Sequence, residues 1–101
     1  MKTIDLKNLL AQNSYPEAGD FIFIDIKESI IHHEKIILDM SDVLSVPTMF
    51  LNTSFGAIID EFGTEKLKES IKFKNITKSQ VERIQKYLID YNQVIKNNQN
   101  N

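Results

Sequence analysis

The stretch that most constrains the fold runs from Lys35 to Gly63, KIILDMSDVLSVPTMFLNTSFGAIIDEFG. Three consecutive apolar residues, Ile36, Ile37 and Leu38, precede Asp39. Such an unbroken run predicts a central strand buried on both faces, with helices on each side. Ser41 to Ser45 reads as the loop at its carboxyl end. A helix follows, with Ser45 as its expected N-cap and Pro47 in its first turn, where the missing N–H costs nothing. Leu51, Phe55, Ile58, Ile59 and Phe62 recur at helical spacing and predict its core face. Gly63 stands where the helix should stop. Gly56, inside the helix, predicts close approach of a neighbouring backbone, since glycine there costs about 1 kcal/mol relative to alanine.

The flanking segments read as cover for this unit. Thr3 to Lys7 alternates, with Ile4 and Leu6 on one side, as a short strand does. Asn13, Ser14, Pro16 and Gly19 then mark a loop. Residues 20–33 fit two periods. Ile22, Ile24 and Ile26 alternate as in a strand, whereas Phe23, Ile26 and Ile30 share a helical face, with Ile22 and Ser29 beside it. The length favours a helix, with Asp20 as its N-cap. Thr64 to Ser70 can form a short helix. Ile71 to Asn75 alternates, and its outward Lys72 and Lys74 suit an edge strand. Thr77 and Gln80 have capping-box spacing, with Ile76 and Val81 as the staple. Val81, Ile84, Leu88, Tyr91 and Ile95 then form a helical stripe, ending in a polar tail over 97–101 that is expected to be disordered. Strands alternating with helices predict an α/β fold with a mostly parallel or mixed sheet of three or four strands and three or four helices, in a single domain over 1–96.

Composition narrows the chemistry. Twelve basic and fourteen acidic side chains leave a formal charge of -2, without the basic excess of a dedicated nucleic-acid binder or a polybasic membrane contact. There is no cysteine, so disulfides, thiolate catalysis and cysteine zinc sites are excluded. No apolar run approaches the roughly 20 residues of a membrane span. Asp5, Lys7 and Asn8 interrupt what would be the core of a signal peptide. A cytoplasmic protein is expected, and the Lys, Asn and Ile content suggests an AT-rich bacterial genome.

The order and spacing of ILDMSDV, FLNTSFGAIIDEFG, IKFKN and a terminal amphipathic helix resemble the STAS-like domain family of bacteria, over residues 19–90. That family is related to the STAS domains of sulfate transporters and anti-sigma-factor antagonists, and most of its members have no assigned function. The resemblance implies a small STAS-like sandwich and a regulatory role. In the antagonists, a serine in the first turn of the helix after the strand-end Asp is phosphorylated by a partner kinase, which blocks partner binding. Carried over, Asp39 matches the strand-end Asp, and the serine position falls at Thr48 or Met49. The Asp-Ser-Ser-Gly pattern of the antagonists is absent, and Val46-Pro47-Thr48-Met49 stands in its place. The STAS-like family often has Ser directly before the Phe, where this chain has Met49.

The candidate residues are therefore Asp39, Asp42, Ser45 and Thr48. A phosphate on Thr48 would sit on free N–H groups at a helix start. Asp39 and Asp42 flank the loop where open α/β sheets bind ligands, and could equally shape the turn. His32 and His33 are adjacent and lack the i, i+4 spacing of a zinc pair, so no metal site is expected. Gly19, Gly56 and Gly63 form no phosphate loop, and no nucleophile and base share a spacing, so neither a cofactor nor an enzyme is expected. The expected function is a non-enzymatic protein-interaction module. By resemblance its partner is a histidine-kinase-like ATPase or a serine kinase. The alternatives are a small-ligand or nucleotide-binding domain at the same sheet edge, and a homodimeric subunit using the Lys72–Lys74 edge or the last helix.

Overall fold

A computed structural model describes residues 1–99, with side chains through Val94. Strands β1 (Lys2–Asp5), β2 (Ile36–Asp39) and β3 (Ile71–Lys74) form one parallel sheet in the order β1-β2-β3. The register aligns Ile4, Leu38 and Phe73 in one row and Asp5, Asp39 and Lys74 in the next. Two crossovers connect the strands. The first holds α1 (Leu6–Gln12) and α2 (Tyr15–Ile31). The second holds α3, over 48–62, and α4 (Thr64–Ser70), and α5 (Lys78–Gln99) follows the sheet. Helix α3 starts as Thr48–Leu51, passes through a π-helical turn at Asn52–Gly56 and continues as Ala57–Phe62. The result is a small α/β sandwich of STAS-like type, with five helices among the described residues rather than three or four. The backbone of the expected polar tail is helical through Gln99, and positions 100–101 lie outside the described residues.

One face of the sheet carries the core. Ile36, Leu38 and Ile71 are buried on it, while Thr3, Asp5, Lys72 and Lys74 on the other face are exposed. The expectation that β2 is covered on both faces is not met. Ile37 is half-buried between Thr3 and Lys72, and the long stem of a lysine shields an apolar neighbour while its head stays in water. Edge-to-face contacts join Phe50, Phe55 and Phe73 at centroid distances of 6.4 and 6.2 Å, fixing α3 on the sheet. The predicted core face of α3 is correct, and Phe50, fully buried, belongs to it as well.

Residues 20–33 are helical through Ile31, and Ile22, Ile26 and Ser29 turn inward as the helical period requires. The start of this helix is six residues earlier than expected. Its N-cap is Ser14, not Asp20: the Glu17 N–H donates to Ser14 Oγ at 3.3 Å, and Ser14 Oγ donates to Glu17 Oε1 at 2.8 Å. Ser14 and Glu17 have the S-x-x-E spacing, but the Glu17 carboxylate takes the Ser14 hydroxyl rather than the backbone N–H of a full capping box; Pro16 lies in the first turn, where it breaks no bond. The helix ends with His33 in the left-handed region at φ 56. The His33 N–H donates to the Ile30 carbonyl and the Glu34 N–H to the Ser29 carbonyl, the two bonds of a Schellman cap. The histidine pair therefore closes a helix.

Gly19 faces α3. A Cβ there would stand 1.7 Å from Thr53 Oγ1 and 2.6 Å from the Phe50 carbonyl oxygen. Thr53 Oγ1 crosses to donate to the Pro16 carbonyl at 2.9 Å, so the π-turn is bonded to α2 where the helices are closest. At Gly56 the close neighbours are side chains rather than the expected backbone: a Cβ would meet Tyr87 Oη at 2.7 Å and the Tyr91 ring at 2.9 Å. Gly63, at φ 90 and ψ 162, occupies a region reserved for glycine and separates α3 from α4.

Candidate functional site

The loop between β2 and α3, with the first turn of α3, forms the carboxyl-end surface of the central strand. Asp39 organises its beginning. Its Oδ1 accepts from Ser41 Oγ at 2.7 Å, the Ser41 N–H at 3.0 Å and Asn75 Nδ2 at 3.1 Å. These bonds, the Ser41 hydroxyl first, then the Ser41 N–H and the Asn75 amide, hold the Asp39 carboxyl below the usual carboxylate range. Asn75 Nδ2 also lies 2.8 Å from Ser41 Oγ, and the Met40 N–H donates to the Lys74 carbonyl at 2.8 Å, so the loop is tied to the end of β3. Asn75 reaches back because it is left-handed, at φ 57, a conformation asparagine tolerates better than most residues.

The middle of the loop is held from α5. Gln80 belongs to the predicted capping box: its Oε1 accepts from the Thr77 N–H at 3.0 Å, and its N–H donates to Thr77 Oγ1 at 3.1 Å. Its remaining amide group donates to the Val43 carbonyl at 2.6 Å, in a buried position. One turn on, an Arg83 Nη donates to the Val46 carbonyl at 3.2 Å and to Thr48 Oγ1 at 2.9 Å. Val43 and Val46 point into the core. Leu44, between them, is 99% exposed. Met49 and Tyr15 are also exposed large side chains, and Leu44, Tyr15, Leu10 and Pro47 line a groove of about 320 Å³.

The predicted residues fall in three places. Asp42 and Ser45 line the groove beside Leu44, with Asp42 in the left-handed region at φ 60. Thr48 faces another groove, of about 310 Å³, lined also by Arg83, Lys86, Tyr87 and Asp90. Asp39 borders neither and acts as a loop anchor. Ser45 is not the N-cap of α3: Pro47 holds that position, without a side-chain cap bond. Proline, with φ preset near the value needed, replaces the hydrogen-bonded cap. Of the residues that hold the loop, sequence reasoning marks Gln80 only as a helix cap, and Ser41, Asn75 and Arg83 not at all. Asn75 at a strand end was a readable signal. The second bond of Gln80 and both bonds of Arg83 span about 35 residues and had none. Among the described residues no cluster of three His, Asp or Glu could hold a metal, and no helix is long and apolar enough to cross a membrane.

The three-stranded parallel sheet with its packed helices fits a small STAS-like α/β fold. Residues 18–81 match the model of a family described as a STAS-like domain of unknown function (DUF4325), and the chain belongs to that family. Comparisons with curated proteins and with solved structures gave no match.

Proposed function

We propose that this chain is a non-enzymatic regulatory module that binds another protein through the 41–47 loop and the first turn of α3. The observation that carries the proposal is Leu44, 99% exposed on a loop held at Asp39, Val43 and Val46. Those bonds hold the loop with Leu44 outward, which lowers the cost of ordering it when a partner binds. Tyr15, Leu10 and Pro47, which line the same groove, extend the apolar area around it. The strand order argues against the nucleotide-binding alternative. With β1-β2-β3 in sequence order, the crossovers do not reverse direction, and the crevice that binds ligands in open α/β sheets forms where they do.

Thr48 supplies the switch in this reading. Its hydroxyl already accepts from Arg83, and a phosphate there would add about -1.5 to -2 charge beside that guanidinium. Drawing Arg83 fully onto a phosphate would take it from the Val46 carbonyl and loosen the loop that presents Leu44. By resemblance the partner is a histidine-kinase-like ATPase or a serine kinase, met in the bacterial cytoplasm. The test is capture of the protein with its partners from the native cell, followed by intact mass and phosphosite mapping. The expected result is a kinase-like ATPase or serine kinase in the eluate, with phosphate on Thr48 in part of the material. Recovery of neither would defeat the proposal.

A further inference from the structure

The outer face of α2 carries exposed apolar and acidic residues, apart from the 41–47 loop. Six exposed residues of this helix, Glu17, Asp20, Phe21, Ile24, Glu28 and Ile31, fall within one arc of about 100° when 3.6 residues make a turn. Three are apolar and large: Phe21 is 51% exposed, Ile24 52% and Ile31 57%. The other three are acidic, and none is basic. The nearest lysine on the helix, Lys27, is committed to Glu61 at 2.9 Å and lies over the Phe23 ring. A solvent-facing helix normally mixes both signs of charge on its outer side. Here an apolar stripe about 15 Å long, from residue 21 to 31 at 1.5 Å per residue, has an acidic border.

We infer that this stripe docks a basic amphipathic helix of a partner protein, with apolar side chains over Phe21, Ile24 and Ile31 and lysines or arginines on Asp20 and Glu28. The charge pattern selects this occupant. A second copy packed antiparallel about Ile24 would set Asp20 against Glu28 twice, like charge on like. An anionic membrane surface is repelled for the same reason. A basic helix meets the opposite sign along the whole stripe, and complementary charge also sets its register.

The test uses fluorescence anisotropy with a labelled 18-residue amphipathic helix built from leucine and lysine, and the same pattern built from leucine and glutamate. The leucine–lysine helix binds the wild-type protein and loses at least tenfold in affinity to the Phe21→Ser/Ile24→Ser double variant. Leu44→Ser leaves its binding unchanged, which separates this surface from the loop. Asp20→Lys/Glu28→Lys reverses the preference toward the leucine–glutamate helix. These positions are exposed, and a thermal melt verifies that each variant is folded. Binding that survives Phe21→Ser/Ile24→Ser, or no binding of the leucine–lysine helix to wild type, overturns the inference. So does a dimer, seen by light scattering, that the double variant dissociates, because the occupant would then be a second copy.

Discussion

Gly19→Ala isolates the contact on which the position of α3 depends. In an exposed helix this change stabilises, by about 1 kcal/mol of helix propensity. Here the new Cβ would lie 1.7 Å from Thr53 Oγ1, 3.0 Å from Thr53 Cβ and 2.6 Å from the Phe50 carbonyl oxygen. Thr53 can rotate away only by giving up its bond to the Pro16 carbonyl, which costs about 0.5–1.5 kcal/mol. The Phe50 carbonyl is backbone and cannot rotate aside, so α2 and α3 must separate, and overpacking of this kind costs about 1–3 kcal/mol. The propensity gain offsets part of this, leaving a net loss of about 0.5–3.5 kcal/mol. Urea denaturation of wild type and variant measures it as a lower midpoint with unchanged slope. Thr53→Ala removes the closest atom, so Gly19→Ala should cost less in that background than in wild type. A neutral or stabilising Gly19→Ala would refute the packing argument.

Three further outcomes follow from the site and its supports. Gln80→Ala should lose about 2–3 kcal/mol, from a missing cap and an unpaired Val43 carbonyl, and hydrogen exchange should rise in residues 41–47. The Asp39 carboxyl is lowered from its ordinary 3.8, so the folded state favours its ionised form. That stabilisation is present above about pH 3.8 and is lost as pH falls through the lower folded value. Denaturation between pH 2 and 5 should show a shallower dependence in Asp39→Asn, and an unchanged slope would sink the assignment. Tyr91 is pushed up to about 12, by burial first and then by its bond to Asp60, and Tyr87 is shifted upward chiefly by burial. Their neutral forms stabilise fully below about pH 10, and the effect is lost as pH rises toward the folded values. Absorbance at 295 nm should therefore show Tyr87 and Tyr91 ionising late, and complete ionisation in one transition near pH 10 would contradict this.

The elements were legible because their signals are local. The apolar run at 36–38 as a central strand, the repeat from Leu51 to Phe62 as a helix face, the lysines at 72 and 74 as an edge, and the Thr77–Gln80 box each lie within one element and agree with the structure. Pro16 and Gly19 misled, because both usually punctuate loops. Pro16 is harmless in a first turn, and Gly19 is inside the helix for the sake of Thr53, 34 positions away. The open face of the sheet was hidden by Ile37, since an apolar run does not tell whether its middle residue meets a helix or a lysine stem. At the candidate site, the sequence placed the loop at the end of the central strand but not the bonds that hold it. Leu44 reads as one more apolar residue in VLSV, and only the inward turn of Val43 and Val46 makes it protrude. The π-turn at Asn52–Gly56 left no trace in a spacing that fits an ordinary helix.

The most direct test of the proposed docking surface is to titrate the captured partner against wild-type protein and the Leu44→Ser variant. Burying a fully exposed leucine stabilises a complex by about 1.5–3 kcal/mol, so the variant should bind at least tenfold more weakly while its thermal melt stays unchanged. Equal affinity for the two proteins would contradict the assignment of the 41–47 loop as the docking surface.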